Sequence, residues 1–214
     1  MNKSVKSEPL VSVVITAFNA EEYIEKSVYS VLCQTYKNLE VIIVDDASTD
    51  NTLEIIRKIK DSRIRVFGNS YNNGTYFCKN FGITKAVGEF IAIQDADDIS
   101  DPYRISKSMA EFYFYPELKI VKTAYLRYSE RTGKVWFRSY IDGLQTSVVR
   151  KEVFETLGYF DHVFVSADAE FDERVKARYG RKSVKRIQEF LYFALQSNGG
   201  LTTLEPLKSK SRIM

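Results

Sequence analysis

The run Phe90-Ile91-Ala92-Ile93-Gln94-Asp95-Ala96-Asp97-Asp98-Ile99 begins as a strand and ends on carboxylates. Its apolar opening, rich in β-branched and aromatic side chains, has the composition of a buried strand. Three acids then fall within four positions. Alternation along a strand puts Asp95 and Asp97 on one face and Asp98 on the other, if the strand continues that far. Asp101-Pro102 favours a turn soon afterwards, and a turn lets the acids converge. Converging carboxylates at a strand end repel unless a cation sits among them. Mg²⁺ or Mn²⁺ suits that position, since these ions take one or two carboxylates together with substrate phosphates. Read alone, the run fits a solvated acidic loop capping the next helix equally well. Its neighbours separate the two readings.

Upstream, Val11-Ser12-Val13-Val14-Ile15-Thr16 is a β-branched run that reads as a buried first strand. Asn19 is placed to cap the helix expected over 20–33, where Ile24, Val28, Val31 and Leu32 recur at helical spacing. Glu21, Glu22 and Glu25 lie early in that helix, where its dipole favours acids. Leu39 to Val44 reads as a second strand ending at Asp45-Asp46. Asp50 or Thr52 then caps a helix that turns Leu53, Ile56 and Ile59 inward. Arg63 to Phe67 is a shorter third strand, and Tyr76 to Ala86 a helix before Gly88. This alternation predicts an α/β fold whose mostly parallel, Rossmann-like sheet is flanked by helices on both faces. Ligands of such sheets sit beyond the carboxyl ends of the strands. Thr16 to Phe18, Asp45-Asp46 and Asp95 to Asp98 all occupy that edge, which a solvated-loop account does not require.

The second half is less regular and predicts a mixed sheet. A helix is expected over 102–115, strands over 120–125 and 146–149, and part of a hairpin over 133–137. A short helix over 150–157 ends at Gly158. Ser166-Ala167-Asp168-Ala169-Glu170-Phe171 leads into a helix containing Val175, and residues 186–193 form a last strand. No repeat or linker interrupts the chain, so one domain over 1–214 is expected, with 1–9 and 205–214 as frayed tails.

Length and a 44% apolar composition allow a full core. No run approaches the ~20 apolar residues of a membrane span, and Met1 to Pro9 is polar, unlike a signal peptide. Cys33 and Cys78 stand far apart, which suggests a reduced, cytoplasmic protein without a disulfide framework. A single histidine, His162, excludes a His-rich zinc site, so acid–base work falls to carboxylates. Residues 174–190 carry seven cations against Glu189, +6 in a chain of net charge +3. Such a cluster is commonly a solvated helix face, but it also suits anionic lipid headgroups and so a peripheral contact with a membrane. Aromatic and basic residues are not interleaved as on a nucleic-acid surface, and no nucleic-acid partner is expected. Oligomeric state is not legible.

Val13-Val14-Ile15-Thr16-Ala17-Phe18-Asn19, Ser30 to Tyr36, Glu40 to Asp46 with Ser48-Thr49-Asp50-Asn51-Thr52, and Asp95-Ala96-Asp97-Asp98 resemble family 2 glycosyltransferases. The resemblance runs from about Val11 to Thr203 and is strongest in the first hundred residues. It implies a GT-A fold and an inverting, metal-dependent enzyme that draws a sugar from a nucleoside-diphosphate donor. The donor it implies is a UDP-sugar, the cofactor Mn²⁺ or Mg²⁺, and the acceptor a hydroxyl of a glycan or lipid-linked glycan. Bacterial surface polysaccharide, capsule or lipopolysaccharide, is the implied product, made at the inner face of the cell membrane.

By the same resemblance, Thr16 and Phe18 meet the base and ribose, the ring supplying a stacking face. Asp46 accepts from uracil N3. Asp97 and Asp98 hold ribose and metal, with Asp95 joining or bracing them. Lys79, in Cys78-Lys79-Asn80, stands where relatives often carry arginine and faces the diphosphate as a point charge rather than a fork. Asp168 matches the family's catalytic base, with Glu170 the neighbouring alternative; the role needs an ionised carboxylate beside the acceptor hydroxyl. One departure stands out. Relatives often end on a Tyr-Arg-x-His pattern, whereas Leu195 and Ser197 occupy those arginine and histidine places here.

Other classes fit less well. A receiver domain would carry its acid pair on the first strand, and a nucleotidyltransferase would need a Gly-rich loop where Thr16-Ala17-Phe18-Asn19 stands. A glycosidase uses two carboxylates but does not ask for this strand pattern. The remaining alternative is a non-catalytic nucleotide-binding module, or a fragment of a larger glycosyltransferase.

Overall fold

A computed structural model describes residues 8–129, 132, 134–139, 144–161 and 167–195. The expectations for residues 1–7 and 205–214, His162, Ser166 and Ser197 lie outside those residues. Four parallel strands form one half of the sheet: β1 (Val11–Ala17), β2 (Leu39–Asp45), β3 (Ile64–Gly68) and β4 (Phe90–Asp95). Every residue of β1 and β2 is buried, as expected of strands covered on both faces.

Side chains alternate between the two covering layers. Val13, Ile15, Val41, Ile43 and Ala92 face one core, which includes Ile24, Val28 and Val31 of α1 (Ile24–Leu32). Val14, Ile42, Val44, Ile91 and Ile93 face the other, against Cys78 and Ile83 of α3 (Thr75–Lys85). Each fully buried Val or Ile contributes about 1.5–3 kcal/mol of transfer free energy. The second layer sits very close. A Cβ on Gly82 would lie 2.5 Å from Val14 Cγ1, so only glycine lets α3 approach β1 this way. Ile56 and Ile59 are buried below α2 (Thr52–Lys58), as their spacing predicts.

The sheet continues beyond β4 in mixed directions, in the order β3-β2-β1-β4-β8-β6-β9-β5. Here β5 is Ile99–Ser100, β6 Ile120–Tyr128, β8 Ser147–Arg150 and β9 Val184–Leu195, while β7 (Val135–Ser139) pairs with β6 as the expected hairpin. β8 is antiparallel to β4 and to β6, and β9 runs parallel to β6. β9 is longer than the predicted 186–193. Its far end pairs Phe193 with Ile99 and Tyr192 with Ser100, directly after the acidic turn. Between the strands lie α4 (Arg104–Phe114), α5 (Lys151–Leu157) and α6 (Ala167–Tyr179).

Two capping expectations are corrected. Asn19 does not cap α1, which starts only at Ile24; its Oδ1 accepts from the Thr49 N–H at 2.9 Å, tying the β1 loop to the β2 loop. Its backbone is left-handed, φ 47°, a conformation asparagine tolerates. Asp50 does receive the Thr52 N–H at 3.0 Å, but Thr52 Oγ1 accepts from Ala20 N–H at 2.7 Å. The loops at the carboxyl edge are therefore fastened to one another as well as to the start of α2.

Candidate active site

The parallel register brings Thr16 level with Val44 on one side and Asp95 on the other, at the carboxyl edge. Thr16 is buried, with its hydroxyl 3.3 Å from that of Thr75 at the start of α3. Phe18, just past β1, leaves 48% of its surface open, an exposure that suits a stacking face.

Asp46 is buried and held by the loop before α3. Its Oδ1 accepts from Asn69 Nδ2 at 2.8 Å and Asn73 N–H at 2.9 Å, and its Oδ2 from Gly74 N–H at 2.8 Å. Gly74 takes φ +88°, which favours glycine. Burial alone would raise the Asp46 carboxyl, but these donors and the Cys78 thiol together hold it below the usual range. Burial, then the Asp46 charge, push the Cys78 thiol up, so it stays protonated.

The three acids of the turn part company. Asp95 and Asp97 remain partly open at the edge, whereas Asp98 is only 5% exposed. Asp98 Oδ1 accepts from the Leu195 N–H at 3.0 Å, and the Tyr192 hydroxyl donates to the same carboxylate. Of the two acids expected to hold a metal, Asp98 is thus engaged by β9 and Asp97 is the more open. β4 ends at Asp95 and a turn follows, so the turn rather than strand alternation sets where these acids point. Burial, then Asp97 and Asp95, hold the Asp98 carboxyl well above the ordinary range.

Asp97 is pushed up to about 6, first by burial and then by Asp95, with Lys79 and Arg127 acting in the opposite direction. A carboxylate in that condition is short of positive charge, which fits a divalent cation beside it. Among the described residues no group of three or more His, Cys, Asp or Glu could hold a metal ion. Such an ion would therefore take Asp97, with remaining ligands from water or a bound diphosphate.

Lys79 does not stand free. Its Nζ pairs with Asp95 Oδ1 at 2.9 Å and lies 5.7 Å from the centre of the Tyr76 ring. Burial would lower its pKa, but Asp95 outweighs it and the ammonium stays charged. The Tyr76 hydroxyl in turn lies 3.1 Å from Asp168 Oδ1, in the first turn of α6. Asp168 thereby joins the acidic edge although 70 residues separate it from the turn. Glu170 points elsewhere; its carboxylate pairs with Arg174, which also donates to the Leu157 carbonyl at 2.7 Å.

Several supporting side chains escape a reading of the sequence. Arg104 is fully buried below the turn, donating to Gln94 Oε1 at 2.9 Å, Ser100 Oγ at 2.8 Å and the Ile93 carbonyl at 2.7 Å. Its guanidinium lies 4.9 Å from the centre of the Tyr192 ring. Burial lowers Arg104 to about 10, which leaves it cationic near neutrality. Tyr192 accepts from the Asp95 N–H at 3.2 Å and so supports two of the three acids. An arginine at helical spacing and a tyrosine in an apolar run carry no local mark of this work.

The basic run is also less uniform than its composition suggests. Arg174 and Lys176 pair with acids of their own helix, Lys176 with Asp172 and Glu173, and Lys185 pairs with Glu111 at 2.6 Å. Among the described residues no helix is long and apolar enough to cross a membrane.

Known proteins share both the sequence and the architecture. The profile of Glycosyl transferase family 2 matches residues 12–184. An Escherichia coli protein named UDP-Glc:alpha-D-GlcNAc-diphosphoundecaprenol beta-1,3-glucosyltransferase WfaP is 42% identical over 119 residues, 53% of this chain and 47% of its own length. Glycosyltransferase GlyG of Streptococcus pneumoniae is 36% identical over 140 residues, 63% of this chain and 44% of its own. The chain thus spans less than half of these relatives. Staphylococcus aureus TarS, solved with UDP-GlcNAc, superposes with TM-score 0.76 at 21% identity, over 89% of this chain and 59% of that one. Mannosyltransferase PcManGT of Pyrobaculum calidifontis, solved with GDP-Man and Mn²⁺, gives 0.70 at 18%, over 92% and 59%. At these identities the superpositions speak for the fold. The family profile, which runs through most of the chain, establishes that this protein belongs to glycosyl transferase family 2, and its sheet is of the GT-A type.

Proposed function

We propose that this chain is the donor-binding and catalytic part of an inverting glycosyltransferase that uses a divalent cation and a UDP-sugar. One observation carries the reading: through Tyr76 and Lys79, α3 links Asp168 to Asp95 at the edge where three parallel strands end. A donor site and a base are thus within one polar chain of contacts. A binding module would have no use for that link.

In this mechanism Phe18 stacks on the base, and Thr16 and Asp46 present polar atoms to the nucleoside. Asp46 keeps only part of its acceptor capacity for the ligand, since three N–H groups already use it. Asp97 holds the cation, which when bound supplies Lewis-acid stabilisation to the departing diphosphate. Lys79 holds Asp95 in place through their ion pair and adds positive charge on the same side. Asp168 accepts the proton of the acceptor hydroxyl as that oxygen attacks the anomeric carbon, opposite the leaving group.

The UDP assignment is supported by Asp46 and by the printed donors of WfaP and of the TarS complex. PcManGT, with GDP-Man, shows that the fold itself does not choose the nucleotide. A lipid-linked acceptor and a role in bacterial surface polysaccharide follow the naming of the E. coli relative. A peripheral membrane contact through 174–190 would fall mainly to Arg178, Arg181 and Lys182, given the pairing of its neighbours. Because the relatives are longer, elements that receive the acceptor can lie outside this sequence, and a donor-binding piece without transfer activity is the second reading.

The first test is thermal unfolding with UDP, GDP, CMP and ADP, each with Mn²⁺ and with a chelator. A ligand at about 100 times its Kd adds about 2.7 kcal/mol, a rise of a few degrees at this size. The expected result is a rise with UDP that needs the metal. A rise with GDP alone would overturn the UDP assignment, and no rise with any nucleotide would overturn the donor site.

A further inference from the structure

We infer that Tyr76 is a positioning residue for Asp168, fixing one carboxylate oxygen so that the other is presented to the acceptor. This deepens the reading of Asp168 as the base and rests on it. The Tyr76 hydroxyl donates to Asp168 Oδ1 at 3.1 Å. That bond ties α3 to the side chain at the first turn of α6. A free aspartate rotates about two bonds. With one oxygen committed, the remaining oxygen has a defined direction, which is what in-line proton removal needs.

The tyrosine is itself well held. Its ring is 5.8 Å from that of Phe160 and lies beneath the Lys79 ammonium, 5.7 Å from the ring centre. Tyr76 and Lys79 are three apart on α3 and so share a face. One sends its hydroxyl to Asp168, the other its ammonium to Asp95 at 2.9 Å. A single rigid helix, packed onto β1 through Gly82, therefore sets the donor-side acid and the acceptor-side acid at a fixed spacing. Burial first, and the Asp168 charge second, push the Tyr76 phenol above its ordinary value, so it remains a donor wherever Asp168 is ionised.

Among the described residues, the charged groups around Asp168 come from α3, α5, α6 and β6. Lys79 and Tyr76 face it from α3. On its own helix, Asp172 is engaged by Lys122 of β6 and by Lys176, and Glu170 by Arg174. Glu152 of α5 is engaged by Lys119.

Tyr76→Phe tests this, because it keeps the ring, the Phe160 contact and the Lys79 contact while removing only the hydroxyl. The Asp168 carboxyl carbon is followed by ¹³C NMR at pH 7.5 in the full chain, with and without the substitution. The expected outcome is a displaced carboxyl resonance in the variant, as its hydrogen bond is lost. An unmoved resonance overturns the inference. With UDP-glucose as probe donor and UDP release as the signal, kcat should fall about tenfold while the donor KM stays within twofold. The same substitution placed on Asp168→Asn should cost nothing further, since Tyr76 then has no base to orient. A second tenfold loss on that background would assign the hydroxyl a separate structural role and overturn the inference. Failure to bind UDP in calorimetry would sink the donor reading instead, and the carboxyl resonance would still decide Tyr76.

Discussion

The two halves of the sheet obey different rules. In β1, β2 and β4 almost every residue is buried, and β1 pairs in parallel with both β2 and β4. In β6 and β9 the burial is broken, the pairing shifts register, and neighbours run in both directions. The first half supplies the groups we propose face the donor, namely Thr16, Phe18, Asp46 and the acidic turn. The second half decides what those groups are. Tyr192 and Leu195, 97 residues from their partners, turn Asp98 inward and brace Asp95, and α6 brings in Asp168. A donor site is thus built by local rules, and its chemistry is set by distant contacts.

This contrast can be broken most sharply at Asp168. Asp168→Asn keeps an acceptor for the Tyr76 hydroxyl but removes the base. Turnover should fall about 10²–10⁴-fold, the usual worth of general base catalysis, while calorimetry finds UDP binding unchanged. Turnover within threefold of the parent would mean that the parallel half carries the chemistry without its partner.

Asp97 sharpens the contrast from the other side. Its carboxyl is raised to about 6, so the folded state holds its proton more tightly than the unfolded chain does. Its contribution to stability is therefore complete below about pH 4 and is lost as pH rises through 6. Asp97→Asn should unfold later than the parent in urea at pH 7.5, by about 1–3 kcal/mol, with no difference near pH 4. The same variant should lose the metal-dependent part of the UDP thermal shift. Equal stability at both pH values would show that Asp97 is not a destabilised carboxylate awaiting a cation.

A third effect, comparable in stability, belongs to Tyr192. Tyr192→Phe leaves the Asp95 N–H and the Asp98 carboxyl without their shared partner, at a cost of about 1–3 kcal/mol in urea unfolding. UDP affinity should fall as well, because the acidic turn loosens. A destabilised variant with unchanged UDP affinity would separate the brace from the site.

How much of this could be read beforehand follows from the same division. The strands and helices of residues 11–95 are marked by apolar periodicity, and Ile24, Val28, Val31, Ile56 and Ile59 are buried as their spacing predicts. The caps were misread at Asn19, because a short polar side chain can serve a neighbouring loop as readily as its own helix. Tyr76, Arg104 and Tyr192 were missed altogether. Each lies among residues that a helix or strand would carry anyway, and no spacing rule distinguishes a tyrosine that holds a carboxylate from one that fills a core.

From the sequence alone came the βαβ order, the edge where ligands meet the sheet and the types of group gathered there. These depend on hydrophobic period and chain direction, which act over a few residues. Tertiary structure alone decided which acid is open and which is enclosed, what Lys79 holds and how Asp168 reaches the edge. Those outcomes rest on burial and on hydrogen bonds between segments far apart in the chain. Two adjacent aspartates, Asp97 and Asp98, are chemically identical until β9 closes over one of them.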